Sequence, residues 1–327
     1  MIWSWWAACS CSGVPAAPPG GSTPPPVPAP VPVPTPSHTA EPLRWVAVAA
    51  GGEHSCGVVS DGTVRCWGRP ECTTVPEDGD YVTIEIGLFK TCAQKSDGTL
   101  RCWCCDDTLF RESEDVVANC AAPTPTEPFV AYEMGIYMEC GIRVDGTAVC
   151  WGQPAIPEPA PAGEVISIGL DNAFGVFALA DGTSVPWEPW GYFATDFLPP
   201  EGVKFTQVGQ GRLHRYGLDP AGEVWCWGMA FDTLPDDTCC APFPPSPPGP
   251  FASMAVGNEV TLGLRPDGTL DWWGAELPYF YALPVDAFDQ VDVGEFHACG
   301  VTVDGRAVCF GAPRGEGDNL VPPPLGP

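Results

Sequence analysis

The chain has 327 residues, with 41 Asp and Glu against 14 Lys and Arg, for a net charge of −27. Such a surface repels phosphate backbones, whose binding needs clustered cations, and this excludes nucleic acid as a partner. Hydrophobic content of 45% is ample for a core, and 17 cysteines point away from a reducing cytosol toward an exported, oxidising location.

Residues 1–11 open with MIWSWWAAC, an apolar string that closes on small residues and Cys9. It resembles a bacterial lipoprotein signal with Cys9 as the acylated residue and the membrane anchor. It lacks a basic n-region, and its apolar run is shorter than the ~7–15 residues of an h-region plus flanks, two departures that a misassigned start at Met1 would produce. No other segment approaches the ~18 apolar residues of a membrane span. Residues 12–42 are dominated by Pro, Ala, Val, Gly and Ser, as in STPPPVPAPVPVPTPS at 22–37. They cannot bury a core and are expected to form an extended linker, which at ~3.1 Å per residue would reach up to about 90 Å.

From residue 43 onward the chain repeats. Aligned on a turn glycine, the units fall at Gly62, Gly98, Gly146, Gly182, Gly222, Gly268 and Gly305, spaced by 36, 48, 36, 40, 46 and 37 residues. Five residues after each glycine stands an aromatic: Trp67, Trp103, Trp151, Trp187, Trp227, Trp273 and Phe310. Upstream, a strand-like run opens on a bulky residue, at Trp45, Tyr81, Phe129, Val165, Phe205, Phe251 and Phe288. Six of these runs meet a glycine six residues on, whereas in the fourth unit it comes two places early, at Gly169. Short β elements returning every ~40 residues cannot bury their faces alone and must stack. A straight β-solenoid has shorter coils, and seven copies suit a closed ring. The fold expected for 43–327 is therefore an all-β, seven-bladed propeller, and the chain is expected to be a monomer.

In four units the residues six before and four after the turn glycine are both cysteine: Cys56 and Cys66, Cys92 and Cys102, Cys140 and Cys150, Cys299 and Cys309. An odd interval of nine residues places the two opposite one another if the loop is odd, as a type I turn with a left-handed glycine and a G1 bulge is. Opposed Cα atoms at ~4.5–5.5 Å fall in the window for a disulfide, so each pair is expected to staple its hairpin, worth roughly 2–3 kcal/mol for an 11-residue loop. Zinc fits poorly, because its sites favour C-x2-4-C spacing. In units four and six the pair becomes Val176 with Pro186 and Leu262 with Trp272, so apolar contact replaces the bond. Tyr216 faces Cys226, which leaves Cys226 to seek Cys239 or Cys240; Cys72, Cys104, Cys105 and Cys120 are also left over, with their pairing open.

Units such as VAAGGEHSCGVVSDGTVRCWG at 48–68 resemble the repeat of the regulator of chromosome condensation family, whose members form seven-bladed propellers. The resemblance spans all seven units and is weakest in the fourth and sixth. The usual Gly-Gln-Leu-Gly tail after Trp-Gly is missing. Its cysteine-bearing form is similar to that of exported bacterial proteins. The family's founding activity, nucleotide exchange on the GTPase Ran, has no matching residues here. An exported member that inhibits a β-lactamase implies a second reading, inhibition of an extracellular enzyme.

Catalytic motifs are missing: there is no phosphate loop, nucleophile elbow, EF-hand loop or zinc-protease helix, and no cofactor or metal is expected. His54, His214 and His297 share one repeat position, which points to packing. No singular carboxylate pair stands out. Two aromatic connectors follow no repeat position: EPWGYF with Trp190, Tyr192 and Phe193, and PYFYAL with Tyr279, Phe280 and Tyr281. They are either interface anchors or buried fourth-strand residues. The reading is an exported or envelope-anchored module that binds an extracellular protein or a surface glycan, with a secreted inhibitor and, more remotely, a propeller enzyme as alternatives.

Overall fold

The structure is a computed structural model and describes residues 41–88, 90–105, 120, 123–152, 156, 159–171, 174–187, 198–211, 214–228, 247–257, 260–274, 282–312 and 320–325. The chain divides into two units, Met1–Glu41 and Pro42–Pro327, and all the elements below belong to the second. Cys9, the Pro-rich linker, Cys239, Cys240 and both aromatic connectors, with Trp190, Tyr192, Phe193, Tyr279, Phe280 and Tyr281, lie outside the described residues.

Among the described residues, seven three-stranded antiparallel sheets form the blades of a propeller, each with its strands in chain order from the inside out. The blades are Trp45–Ala50, His54–Val59 and Val64–Gly68; Tyr81–Ile86, Lys90–Lys95 and Leu100–Cys104; Phe129–Met134, Met138–Arg143 and Ala148–Gly152; Val165–Leu170, Gly175–Leu179 and Ser184–Trp187; Gln207–Gln210, His214–Leu218 and Val224–Gly228; Ser253–Val256, Val260–Leu264 and Leu270–Gly274; and Phe288–Val293, His297–Thr302 and Ala307–Gly311. Among the described residues no helix is long and apolar enough to cross a membrane.

The recurring Asp-Gly turn explains itself locally. The turn glycines adopt φ between +80° and +86°, a left-handed conformation open to Gly at no steric cost. The Asp carboxylate accepts from the backbone and hydroxyl of the residue two places on, as Asp61 does from Thr63 and Asp97 from Thr99. These hydrogen bonds hold the carboxyls of Asp61 and Asp97 below the usual range. The same turn also joins the blades. The Gly62 carbonyl accepts from the Tyr81 N–H at 3.0 Å, Gly98 from Phe129 at 2.9 Å, and Gly305 from Trp45 at 2.9 Å, which latches the last blade to the first.

The bulky residue that opens each unit has a matching explanation. The Trp45 ring lies against Gly57 of the neighbouring strand, where an added Cβ would stand 2.6 Å from the ring, and Phe251 covers Gly263 in the same way. On its other side the ring meets the outer-strand aromatic: Trp45 and Trp67 at 5.4 Å between centroids, Phe129 and Trp151 at 5.5 Å, Phe205 and Trp227 at 5.2 Å. Each such pair adds about 0.5–1.5 kcal/mol beyond its buried area. The fourth unit departs from the pattern because Gly169 pairs with Val176, the place that Glu85 and Glu133 take opposite Cys92 and Cys140. Asp171 then stands where the other inner strands end on glycine.

Cysteine opposition follows the turn geometry. Cys56 pairs in register with Cys66, Cys92 with Cys102, Cys140 with Cys150 and Cys299 with Cys309, and all four are disulfides with Cα atoms 4.0–4.1 Å apart. Two further disulfides, Cys72–Cys105 and Cys104–Cys120, use the left-over cysteines, and Cys226 is disulfide-bonded as well. Val176 faces Pro186 and Leu262 faces Trp272. Disulfides in this number belong to an oxidising compartment.

Ring closure rules out an open solenoid. Gln290 of the last blade grips the backbone of Val48 in the first, accepting from its N–H at 3.0 Å and donating to its carbonyl at 2.8 Å. Gln207 and Met254 repeat this device between the fifth and sixth blades.

Candidate functional site

The inner strands bring seven residues to one level of the central channel. Those opposite the middle-strand cysteine position are Ala49, Glu85, Glu133, Gly169, Gly209, Ala255 and Asp292. Three carboxylates thus face a ring whose other members are Ala or Gly. Glu85, Glu133 and Asp292 line a cavity of about 280 Å³ that also takes in Gln207, Ser253 and Gln290. They are half-buried, because they face a channel wide enough for water while protein encloses them elsewhere.

Asp292 accepts from the Ala50 N–H at 2.7 Å, so it both closes the ring and lines the channel. Among the described residues no hydrogen bond to the Glu85 or Glu133 carboxylate is seen. Burial raises the Glu85 carboxyl well above the usual range, reinforced by the charges of Asp292 and Glu133. Glu133 is pushed up to about 8, first by burial and then by Asp292. Burial also raises Asp292, against the hydrogen bonds from Ala50 and Val293. The three carboxyls face one channel and raise one another, so their titrations are linked.

The sequence shows no singular carboxylate cluster, and here the structure differs. Each acid stands alone in its own blade, 48 and 159 residues from the next, and ring closure alone brings them together. The signal that could have found them is the repeat column four residues after each unit's opening bulky residue, where three acids stand among Ala and Gly.

Above the carboxylates the channel opens into a mouth with a cavity of about 110 Å³, which shares Gln210 and Val256 with the cavity below. Its wall combines apolar side chains, among them Ile86, Leu88, Met134 and Ile136, with strand-ending glycines such as Gly51, Gly87 and Gly135 and the acidic residues Asp171 and Glu295. These glycines bring neighbouring blades into backbone contact: a Cβ at Gly87 would stand 2.7 Å from the Gly135 carbonyl. The channel thus stacks a mouth rich in apolar side chains and glycine over three carboxyl groups.

Two of the repeat histidines, His54 and His297, serve the ring. His54 and His297 are fully buried. His54 Nε2 bonds Thr91 Oγ1 of the second blade at 3.0 Å, and His297 Nε2 bonds Ser55 Oγ of the first at 2.7 Å. Burial lowers both to about 4, so they are neutral at physiological pH. Lys90, at the same repeat position, instead reaches Glu139 of the third blade in a buried ion pair of 3.2 Å.

Comparison with known proteins agrees with this architecture. The family model of the regulator of chromosome condensation (RCC1) repeat matches residues 45–73. No curated protein matches the chain in sequence. Among solved structures, the crinkly WD40 ectodomain of the Arabidopsis thaliana receptor kinase ACR4 is 18% identical, with a TM-score of 0.64 over 86% of this chain and 99% of its own. Yeast RCC1 (Prp20), solved with Kap60 bound, is 16% identical, with a TM-score of 0.53 over 85% of this chain and 83% of its own. Another structure of Prp20p from Saccharomyces cerevisiae, described with its binding to Gsp1p and histones, gives 15%, 0.51 and 86% of each chain. The chain therefore carries a repeat similar to that of the regulator of chromosome condensation family at residues 45–73 and shares the propeller fold of these structures.

Proposed function

We propose that the domain is an exported protein-binding module, whose central channel receives a lysine or arginine side chain of an extracellular partner. The observation that carries this reading is the stack of a mouth lined by apolar side chains, glycines, Asp171 and Glu295 over Glu85, Glu133 and Asp292. A Lys stem would lie along Ile86, Met134 and Leu88 while its ammonium displaces the protons shared below. The net charge of −27 would steer such a partner toward the ring, increasingly so at low salt. Structural relatives that include a receptor kinase ectodomain and a yeast protein solved with Kap60 bound make a binding task a natural use of the fold. The disulfides support export, and an N-terminal lipid on Cys9 followed by a Pro-rich tether would hold the module at a cell envelope. A surface glycan carrying amines would meet the same chemistry. Inhibition of an extracellular enzyme is a special case of this binding, with the enzyme's basic side chain in the channel. The aromatic connectors at 188–193 and 278–283 are the next candidates for contact.

The test uses a fluorescent peptide with one central lysine in a neutral sequence, titrated into the protein at low and high salt. The E85Q/E133Q variant keeps Asp292 and its closing hydrogen bond. It is expected to bind at least tenfold more weakly, although its surface charge is nearly unchanged. Binding should tighten from pH 6.5 to 8 as the carboxyls give up their protons. Equal affinity in the variant would move the site elsewhere on the domain.

A further inference from the structure

Cys72–Cys105 differs from the hairpin disulfides. It ties the connector after the first blade to the end of the outer strand of the second, across 33 residues. Cys72 sits on a single 3-10 turn, Pro70–Cys72, and Cys105 lies just past the strand Leu100–Cys104, so no sheet ladder fixes their backbones relative to one another. The cysteines of the hairpin pairs face each other within the ladder, and Cys56, Cys92, Cys140 and Cys299 are fully buried. Cys72 is buried as well, yet it lines a cavity of about 220 Å³ with His54, Glu53, Arg69 and Glu295. A ring nitrogen of His54 and the two sulfurs lie within 4.8 Å of one another.

We propose that His54, Cys72 and Cys105 form a thiol-gated zinc site: a disulfide staple between two blades when oxidised, and a three-ligand metal centre once a dithiol has reduced it. In the first step a dithiol delivers two electrons and two protons to the Cys72–Cys105 bond. The S–S bond breaks, two thiols form, and the reductant leaves as its own disulfide. In the second step Zn²⁺ binds both sulfurs and their two protons pass to the solvent. Zinc–sulfur bonds of ~2.3 Å and a zinc–nitrogen bond of ~2.0–2.1 Å place the ligand atoms of a tetrahedral site roughly 3.5–3.8 Å apart, inside the observed spread. The sulfurs must part to reach that distance, which the connector permits and a hairpin ladder would resist.

Thr91 Oγ1 bonds one ring nitrogen of His54, Nε2, at 3.0 Å and so fixes the plane of the imidazole, as an outer hydroxyl or carbonyl orients a ligating histidine. Three protein ligands leave the fourth position open to a water from the cavity. Each state joins the first two blades covalently or through the metal, so the ring would survive the change.

The experiment treats the full chain with a graded dithiol, maps free thiols by differential alkylation, and titrates Co²⁺ and then Zn²⁺ into the partly reduced protein. Cys72 and Cys105 are expected to become alkylated first. Co²⁺ should then bind one per chain with thiolate charge-transfer absorption and be displaced by Zn²⁺. The C72S/C105S variant should lose this signal, and His54→Gln should weaken Zn²⁺ at least tenfold. Alkylation of the hairpin cysteines before Cys72 and Cys105 would overturn the proposal. So would free Cys72 and Cys105 thiols that take up no Co²⁺, or an unchanged cobalt spectrum in C72S/C105S.

Discussion

At the scale of single residues, a glycine and an aromatic define each other. Gly57 lacks a side chain because the Trp45 ring occupies that space, and a Cβ there would also stand 3.0 Å from the Ala47 carbonyl. Backbone freedom is not the reason, since Gly57 is absent from the positive-φ glycines. Gly57→Ala should therefore act as overpacking and destabilise the domain by about 2–3 kcal/mol, measured as a shift of the urea midpoint at constant slope. Adding Trp45→Leu should recover part of that loss, because the smaller side chain vacates the contested volume. Simple additivity of the two substitutions would place the cost somewhere other than this contact.

At the scale of the hairpin, the repeat offers its own control. Val176 with Pro186 and Leu262 with Trp272 show the blade closing on apolar contact where other blades use a disulfide. Replacing Cys140 and Cys150 together with valine should accordingly leave a folded ring while lowering stability by roughly 1–3 kcal/mol, the loop-closure contribution less what valine packing restores. Unfolding at 25 °C would show that the third blade depends on the bond for existence rather than for margin. This hairpin is also where the sequence was most legible. Turn glycine, opposed cysteines and the aromatic five residues on all interact within some twenty residues, so their spacing encodes their contacts. The carboxylate cluster was hidden for the opposite reason. Glu85 looks like the polar side of an alternating strand, and nothing within its own unit announces Glu133 or Asp292. Cys72 and Cys105 were open in the same sense, since their meeting depends on how two blades dock.

At the scale of the whole ring, closure gathers charge that no single blade would tolerate, and this should make stability depend on pH in a distinctive window. The carboxyls of Glu85, Glu133 and Asp292 are raised in the folded state, with Glu133 at about 8 against an ordinary 4.5. The folded ring then holds protons that the unfolded chain has released. Their contribution is present in full below about pH 4.5 and is lost as pH rises through about 8. His54 and His297 act with the opposite sign: lowered from 6.5 to about 4, they cost stability only as pH falls below 6.5. The turn aspartates, lowered from 3.8, matter only in more acidic solution still. Between pH 6.5 and 8 the channel carboxyls are therefore the described groups whose shifted titration governs the slope. One retained proton is worth up to about 1.4 kcal/mol per pH unit, so the urea midpoint should fall across this window by an amount equivalent to roughly 1–2 kcal/mol. E85Q/E133Q removes both titrations and should flatten the profile while raising stability at pH 8, because two like charges leave the channel. A midpoint that is level in the parent protein, or equally steep in the variant, would show that the three carboxylates do not share their protons across the ring.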